Sequence, residues 1–163
     1  MNSAHIDVTG SVDKFRRGLG RLLVGTEIHD QLEDDGHAHM MASRSGEWAD
    51  RLNSLPKYVV SSTLEAPKWT NSTVLNGDVV SEVSKLKQKL DGEIVVYASY
   101  QLGRTLLEHD LVDELRLTVF PVVLGAGERL FGETSDKKSM RLLSARTIGD
   151  GLAFLTYELV RGA

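Results

Sequence analysis

Residues 95–107 read VVYASYQLGRTLL, and this stretch decides the fold. The apolar run from Val95 to Ala98 stops at Ser99, and a new apolar spacing starts at Leu102 and Leu106. A strand apolar on both faces therefore hands over to a helix within three residues. In open α/β sheets, ligands sit outside the carboxyl ends of the strands, at such junctions. The first amides of the following helix are unpaired there, and its positive dipole end suits phosphate. Ser99 is placed to cap the helix or to face a ligand. Ala98 is small enough for a ligand to approach the backbone.

Working outward, EIVVYAS predicts a central strand covered on both sides, and the helix behind it runs from Ser99 to His109. Upstream, Asp78 is a natural N-cap for a helix with Val79, Val83, Leu86 and Leu90 on one face. Its other face, with Lys85, Lys87 and Lys89, reads as solvated. STVLNG and KYVVSS predict two more strands, and GEWADRLNSLP predicts a short helix that stops at Pro56. Leu22 to Val24, ending at Gly25, forms a further short strand, while residues 26–46 show no convincing period. Downstream, ELRLTVFPVVLG is strand-like as far as Pro121. MRLLSARTIGDGLAFLTYELV reads as a hairpin turning at Gly149-Asp150-Gly151. The pattern predicts one α/β layered domain over residues 1–163, with residues 1–45 divergent and a mixed sheet ending in an antiparallel hairpin.

The chain has 163 residues, enough for one domain with a proper core, and 41% of them are hydrophobic. A formal charge of -4 argues against nucleic acid or an anionic membrane as partner. The start, MNSAHIDVTG, lacks the layout of a secretory signal, and a cytoplasmic location is the expectation. With no cysteine, disulfides, thiolate nucleophiles and cysteine metal sites are ruled out.

A second rim of small polar residues, Ser61, Ser62 and Thr63, closes the strand KYVV. It forms one crevice with Ser99 if the two strands lie close together. LGAGERLF (124–131) lacks the Lys-Ser/Thr of a phosphate loop and reads as a bulge or turn. His37 and His39 beside Asp34 and Asp35 have no periodic scaffold, and no metal site is expected. Asp110, Asp113 and Glu114 flank a helix–strand turn and are expected to be exposed. No serine stands in a nucleophile-elbow context.

The stretches ADRLNSLPKYVVSSTL, STVLNGDV, EIVVYASYQLGRTLLEHDLVDELRLTVFPVVLGAGERLF and LAFLTYE carry a resemblance. Across about residues 46–157 the chain resembles the dihydrofolate-reductase-like family, which includes the reductase domain of the riboflavin-biosynthesis deaminase–reductase. The resemblance implies a three-layer α/β/α fold with a mixed, mostly parallel sheet. It also implies an NADPH-dependent reductase acting on a small heterocyclic or imine-type substrate of the pterin or ribityl-aminopyrimidine class. The cofactor pyrophosphate would lie over Ala98, Ser99, Tyr100, Gln101 and Leu102, and the adenosine half along Ser61, Ser62 and Thr63. Ser99 would both cap its helix and help to cradle the pyrophosphate. The family's LLLGRxTYE motif stands here as LLVGTEIHD. Gly25 is kept and Thr26 takes the place of the arginine that favours a 2′-phosphate, which leaves NADH open beside NADPH. Tyr97-Ala98-Ser99 stands where the riboflavin reductases carry Glu-Gly-Gly. The start of the chain, HIDVTGSVD, matches the family's first strand only faintly, so no proton donor is assigned. A homodimer through the LRLTVFPVVL region is also implied. The alternative is a catalytically silent nucleotide-binding or dimerising member of the same fold.

Overall fold

The structure, a computed structural model, describes residues 5–9, 20–25, 47–67, 69–97, 99–127, 129–133 and 136–161. In chain order the elements are β1 (His5–Thr9), β2 (Arg21–Gly25), α1 (Glu47–Ser54), β3 (Lys57–Val60), β4 (Ser72–Leu75), α2 (Val79–Lys89), β5 (Glu93–Tyr97), α3 (Tyr100–Glu108), β6 (Glu114–Val119), β7 (Ser139–Ile148) and β8 (Leu152–Val160). The strands form one eight-stranded sheet in the order β4-β3-β2-β5-β1-β6-β8-β7. From β4 to β6 the neighbours are parallel, and β8 and β7 then add antiparallel.

The central strands earn their place by being apolar on both sides. Ile94, Val95 and Val96 of β5 and Leu22 and Leu23 of β2 are all fully buried. Their alternation sorts them into two cores. Leu23, Ile94 and Val96 pack with Val83 and Leu86 of α2 and with Leu102 and Leu106 of α3. Leu22 and Val95 pack with Leu52 of α1 and with Leu55. The sheet therefore lies between α1 on one face and α2 and α3 on the other, the predicted three layers. Connection handedness explains the split. The chain steps from β2 through α1 to β3 in one direction and from β4 to β5 to β6 in the other, so right-handed crossovers place the helices on opposite faces.

α2 starts as its sequence predicts. The Asp78 carboxylate accepts from Ser81 N at 2.9 Å, and this bond holds its pKa below the ordinary value. The lysine face is not uniformly solvated, however. Lys87 is buried, donates to the Leu111 carbonyl at 2.9 Å and pairs with Asp113. Asp113 also pairs with Arg161, just beyond β8, so neither it nor the half-buried Glu114 is the exposed acid that its turn position suggests. β1 is the other departure. Its alternating Ile6 and Val8 are a strand signal too short to stand alone, yet β1 pairs with both β5 and β6 and completes the sheet.

At the amino end of β3 the largest fully buried side chain is a lysine. Lys57 Nζ donates to the carbonyls of Asn53 (3.1 Å), Leu55 (2.8 Å) and Thr70 (2.8 Å), and it lies 4.7 Å from the centre of the Trp69 ring. Burial pushes its pKa down to about 8, so the ammonium persists at neutral pH. The folded value lies below the unfolded one, so its burial cost is fully present below pH 8 and is relieved as pH rises to about 10.5. Wild type is therefore expected to gain stability relative to Lys57→Met between pH 8 and 10. Urea midpoints at both pH values check this.

Candidate functional site

The carboxyl ends of β3, β2 and β5 form one rim because their registers align. Gly25 lies opposite Val60, and Leu23 lies opposite Val96. The strands that end in Ser61 and Ser99 are not direct neighbours; β2 runs between them and ends in Gly25. Here the chain direction reverses. β2 leads toward α1 on one face and β5 toward α3 on the other, which is the switch point where open α/β sheets leave a crevice.

Ser99 crosses that crevice. Its side chain is almost fully buried, and its Oγ accepts a hydrogen bond from Gly25 N at 2.7 Å. It holds the N-cap position of α3 but makes no side-chain cap bond, contrary to the sequence expectation. The reason is competition: the buried Gly25 amide takes the Ser99 oxygen, and leaving that amide unpaired would cost about 1–3 kcal/mol. Helix α3 thus begins with its backbone alone, through Gly103 N to Ser99 O at 2.9 Å. The amides of Tyr100, Gln101 and Leu102 precede that first helical bond, and none finds a partner among the described residues. Nor does α3 have an acid in its first turn, whereas α2 has Glu82 there in addition to its Asp78 cap. One helix start closes itself, and the other is left open to an anion.

Gly25 makes the floor flat. A Cβ added there would stand 3.3 Å from Ser99 Oγ and 3.6 Å from Leu102 Cβ, so a side chain would fill the gap between the two strand ends. On the β3 side, the Ser61 hydroxyl is occupied locally, accepting from Thr63 N at 3.2 Å and Leu64 N at 3.0 Å. That bond makes Ser61 the terminator of its strand. Ser62 and Thr63 are exposed at the rim. On α3, Leu102 sends its side chain into the core and offers only its amide. The Tyr100 ring lies 5.0 Å from the Arg104 guanidinium, and its hydroxyl accepts from Gln101 Nε2 at 3.2 Å. Gly25, Ser61, Ser62, Thr63, Ser99, Tyr100, Gln101 and Leu102 thus belong to one edge of the sheet. Thr26 and Ala98 lie outside the described residues, as do His37 and His39. Among the described residues no cluster of three metal-ligating side chains occurs, and no helix is long and apolar enough to cross a membrane. The Ser99–Gly25 bond escaped sequence reading because it joins residues 74 positions apart.

Comparison with known proteins agrees with this architecture. The family described as RibD C-terminal domain matches residues 8–154. The uncharacterized protein YyaP of Bacillus subtilis (strain 168) is 32% identical over 108 residues, which are 66% of this chain and 56% of that protein. The chain spans about half the length of the curated relatives it matches. A crystal structure from Shewanella sp. PV-4, assigned to riboflavin biosynthesis, superposes with a TM-score of 0.74 at 21% identity, covering 97% of this chain and 99% of that one. Dihydrofolate reductase from Enterococcus faecalis, solved with NADP(H), superposes with a TM-score of 0.59 at 11% identity and 96% coverage of both chains. The fold is thus dihydrofolate-reductase-like, as the sequence resemblance implied.

Proposed function

The chain belongs to the RibD C-terminal domain family, and from that premise we propose that it is a cytoplasmic reductase using NADPH or NADH on a small heterocyclic or imine-type substrate. The observation that carries this reading is the open start of α3. Ser99 is drawn to Gly25, and three amides at the switch point, without a partner among the described residues, suit a pyrophosphate. The residues present fit such a group. Gly25 leaves room over the floor, the α3 amides and dipole hold the anion, and the Ser62 and Thr63 hydroxyls line the adenosine side. When bound, the nicotinamide supplies the hydride. The chain's own part is to hold the cofactor by its phosphates, orient it, and keep water away with the buried floor of β2 and β5.

The test is a titration with NADPH and NADH, followed by fluorescence. Saturable binding of either is expected, and no binding of either at millimolar concentration overturns the reading. Turnover with a panel of pterins and ribityl-aminopyrimidines then separates an active reductase from a silent binder.

The reading includes a homodimer. Val119, Phe120, Val122, Val123 and Leu124 are exposed in succession, with Val123 almost wholly in solvent, and Leu142 and Leu143 of β7 are half exposed. A run of exposed large apolar residues of this kind marks a protein contact. Light scattering is expected to give twice the 18.0 kDa chain mass, and a monomer mass refutes this part.

A further inference from the structure

Between β6 and β7 the chain passes along α3 without filling the space beside it. Residues 129–133 are tied to the helix by Arg104 Nε, which donates to the Leu130 carbonyl at 2.9 Å. Two open cavities flank Phe131 of this segment. Their volumes are about 260 and 200 Å³, and Leu107, Phe131 and Gly132 are the wall they share. Joined, they fall in the size range of small-molecule sites, about 300–1,000 Å³. On α3 they are lined only by residues from Arg104 onward, away from the helix start at the crevice.

The two cavities differ in kind. The smaller is an apolar slot of Leu107, Phe131, Met140 and Leu159, with Lys138 at its edge. The Lys138 ammonium is taken up by the Glu108 carbonyl (2.8 Å) and the Asp110 carboxylate (2.9 Å), which leaves its aliphatic stem to the slot. The larger cavity holds charges of both signs, Arg104 on α3 and Glu133 on the crossing segment. Among the described residues Arg104 meets no carboxylate and Glu133 no cation, and the two do not pair with each other. Arg104 and Glu108 stand four residues apart, the spacing at which helix ion pairs form. The guanidinium is nevertheless turned to the Leu130 carbonyl and to the Tyr100 ring, 5.0 Å away. A Cβ on Gly132 would touch Arg104 Cζ at 3.8 Å, so the glycine leaves that side of the guanidinium bare. One cavity thus faces a cation and an anion that do not neutralise each other, with an apolar slot next to it.

We propose that this pair of cavities binds a zwitterionic amino acid with an apolar side chain. Arg104 takes the carboxylate through its remaining N–H groups, and Glu133 takes the ammonium. The side chain enters the slot, where the flexible Met140 fits itself to its shape. A ligand of one sign satisfies one of the two charges and is repelled by the other, whereas a zwitterion satisfies both. The site is separate from the crevice and does not depend on the cofactor reading.

The test compares L-leucine with three of its fragments: glycine, 3-methylbutylamine and 4-methylpentanoate. Affinities come from saturation-transfer NMR on the full chain. Leucine is expected to bind about tenfold more tightly than any fragment, the scale of one charge-assisted hydrogen bond. Arg104→Gln should weaken leucine by the same factor and leave 3-methylbutylamine unchanged. Glu133→Gln should weaken leucine and 3-methylbutylamine and leave 4-methylpentanoate unchanged. Arg104 also ties down the crossing segment, but Glu133 is exposed, so its variant separates a lost ligand contact from lost structure. Leucine no tighter than its fragments, or unchanged in Glu133→Gln, overturns the proposal. No NADPH is present, so a failed cofactor titration has no bearing on the result.

Discussion

Gly25→Val is expected to lose measurable NADPH binding and to lower the unfolding free energy by about 2 kcal/mol, the usual scale of overpacking a closed site. Gly25 is buried, and even a bare Cβ there would meet Ser99 Oγ at 3.3 Å, Ser99 Cβ at 3.5 Å and Leu102 Cβ at 3.6 Å. An alanine asks the neighbours to give by a few tenths of an ångström. The two methyls of valine have nowhere to go except into Ser99 or up into the crevice. Either response breaks or bends the 2.7 Å bond from Gly25 N to Ser99 and shifts the start of α3. Denaturation midpoints with wild type and Gly25→Ala in parallel check the gradation. Valine as stable as alanine, or valine with wild-type NADPH affinity, would show that the junction is looser than its geometry implies.

The other large effect lies at the opposite end of the sheet. Asp113→Ala should cost about 3 kcal/mol, because it leaves the Lys87 ammonium buried with only the Leu111 carbonyl. Asp113 joins three parts of the fold. It pairs with Lys87 of α2, precedes β6, and pairs with Arg161 just past β8, while its carbonyl accepts from Leu159 N at 2.9 Å. The Arg161 arm is half exposed and contributes little. Adding Lys87→Met to Asp113→Ala removes the stranded charge and should recover at least half of the loss. Urea denaturation of both variants measures this. A double variant no more stable than Asp113→Ala would mean that the cost lies elsewhere than in Lys87.

Most elements were legible because their signals are local. The continuous apolar run of β5, the spacing of α3, the Asp78 cap and the glycine turn before β8 each lie within a few residues, and each element forms where expected. The features that were not legible depend on pairing across the chain. β1 is five residues long with two alternating apolar positions, and only its insertion between β5 and β6 fixes it as a strand. Lys87 sits in a lysine-rich stretch that looks solvated until Asp113, 26 residues on, is folded against it. Ser99 shows the same limit at the site. Its position beyond a buried strand marks the junction, but its choice of Gly25 over its own helix depends on a strand 74 residues earlier. Cap propensity pointed to the right residue and the wrong partner.

Gln101→Glu tests the central claim most directly, because binding and stability should move in opposite directions. Gln101 is exposed in the first turn of α3, where a carboxylate complements the helix dipole and should raise stability by roughly 0.3–1 kcal/mol. The same carboxylate beside a bound pyrophosphate should weaken NADPH about tenfold, the effect of one like charge at close range. A more stable protein with weaker NADPH binding is the result predicted for an anion site at the open start of α3. Unchanged NADPH affinity in Gln101→Glu, with wild type binding normally, would contradict it.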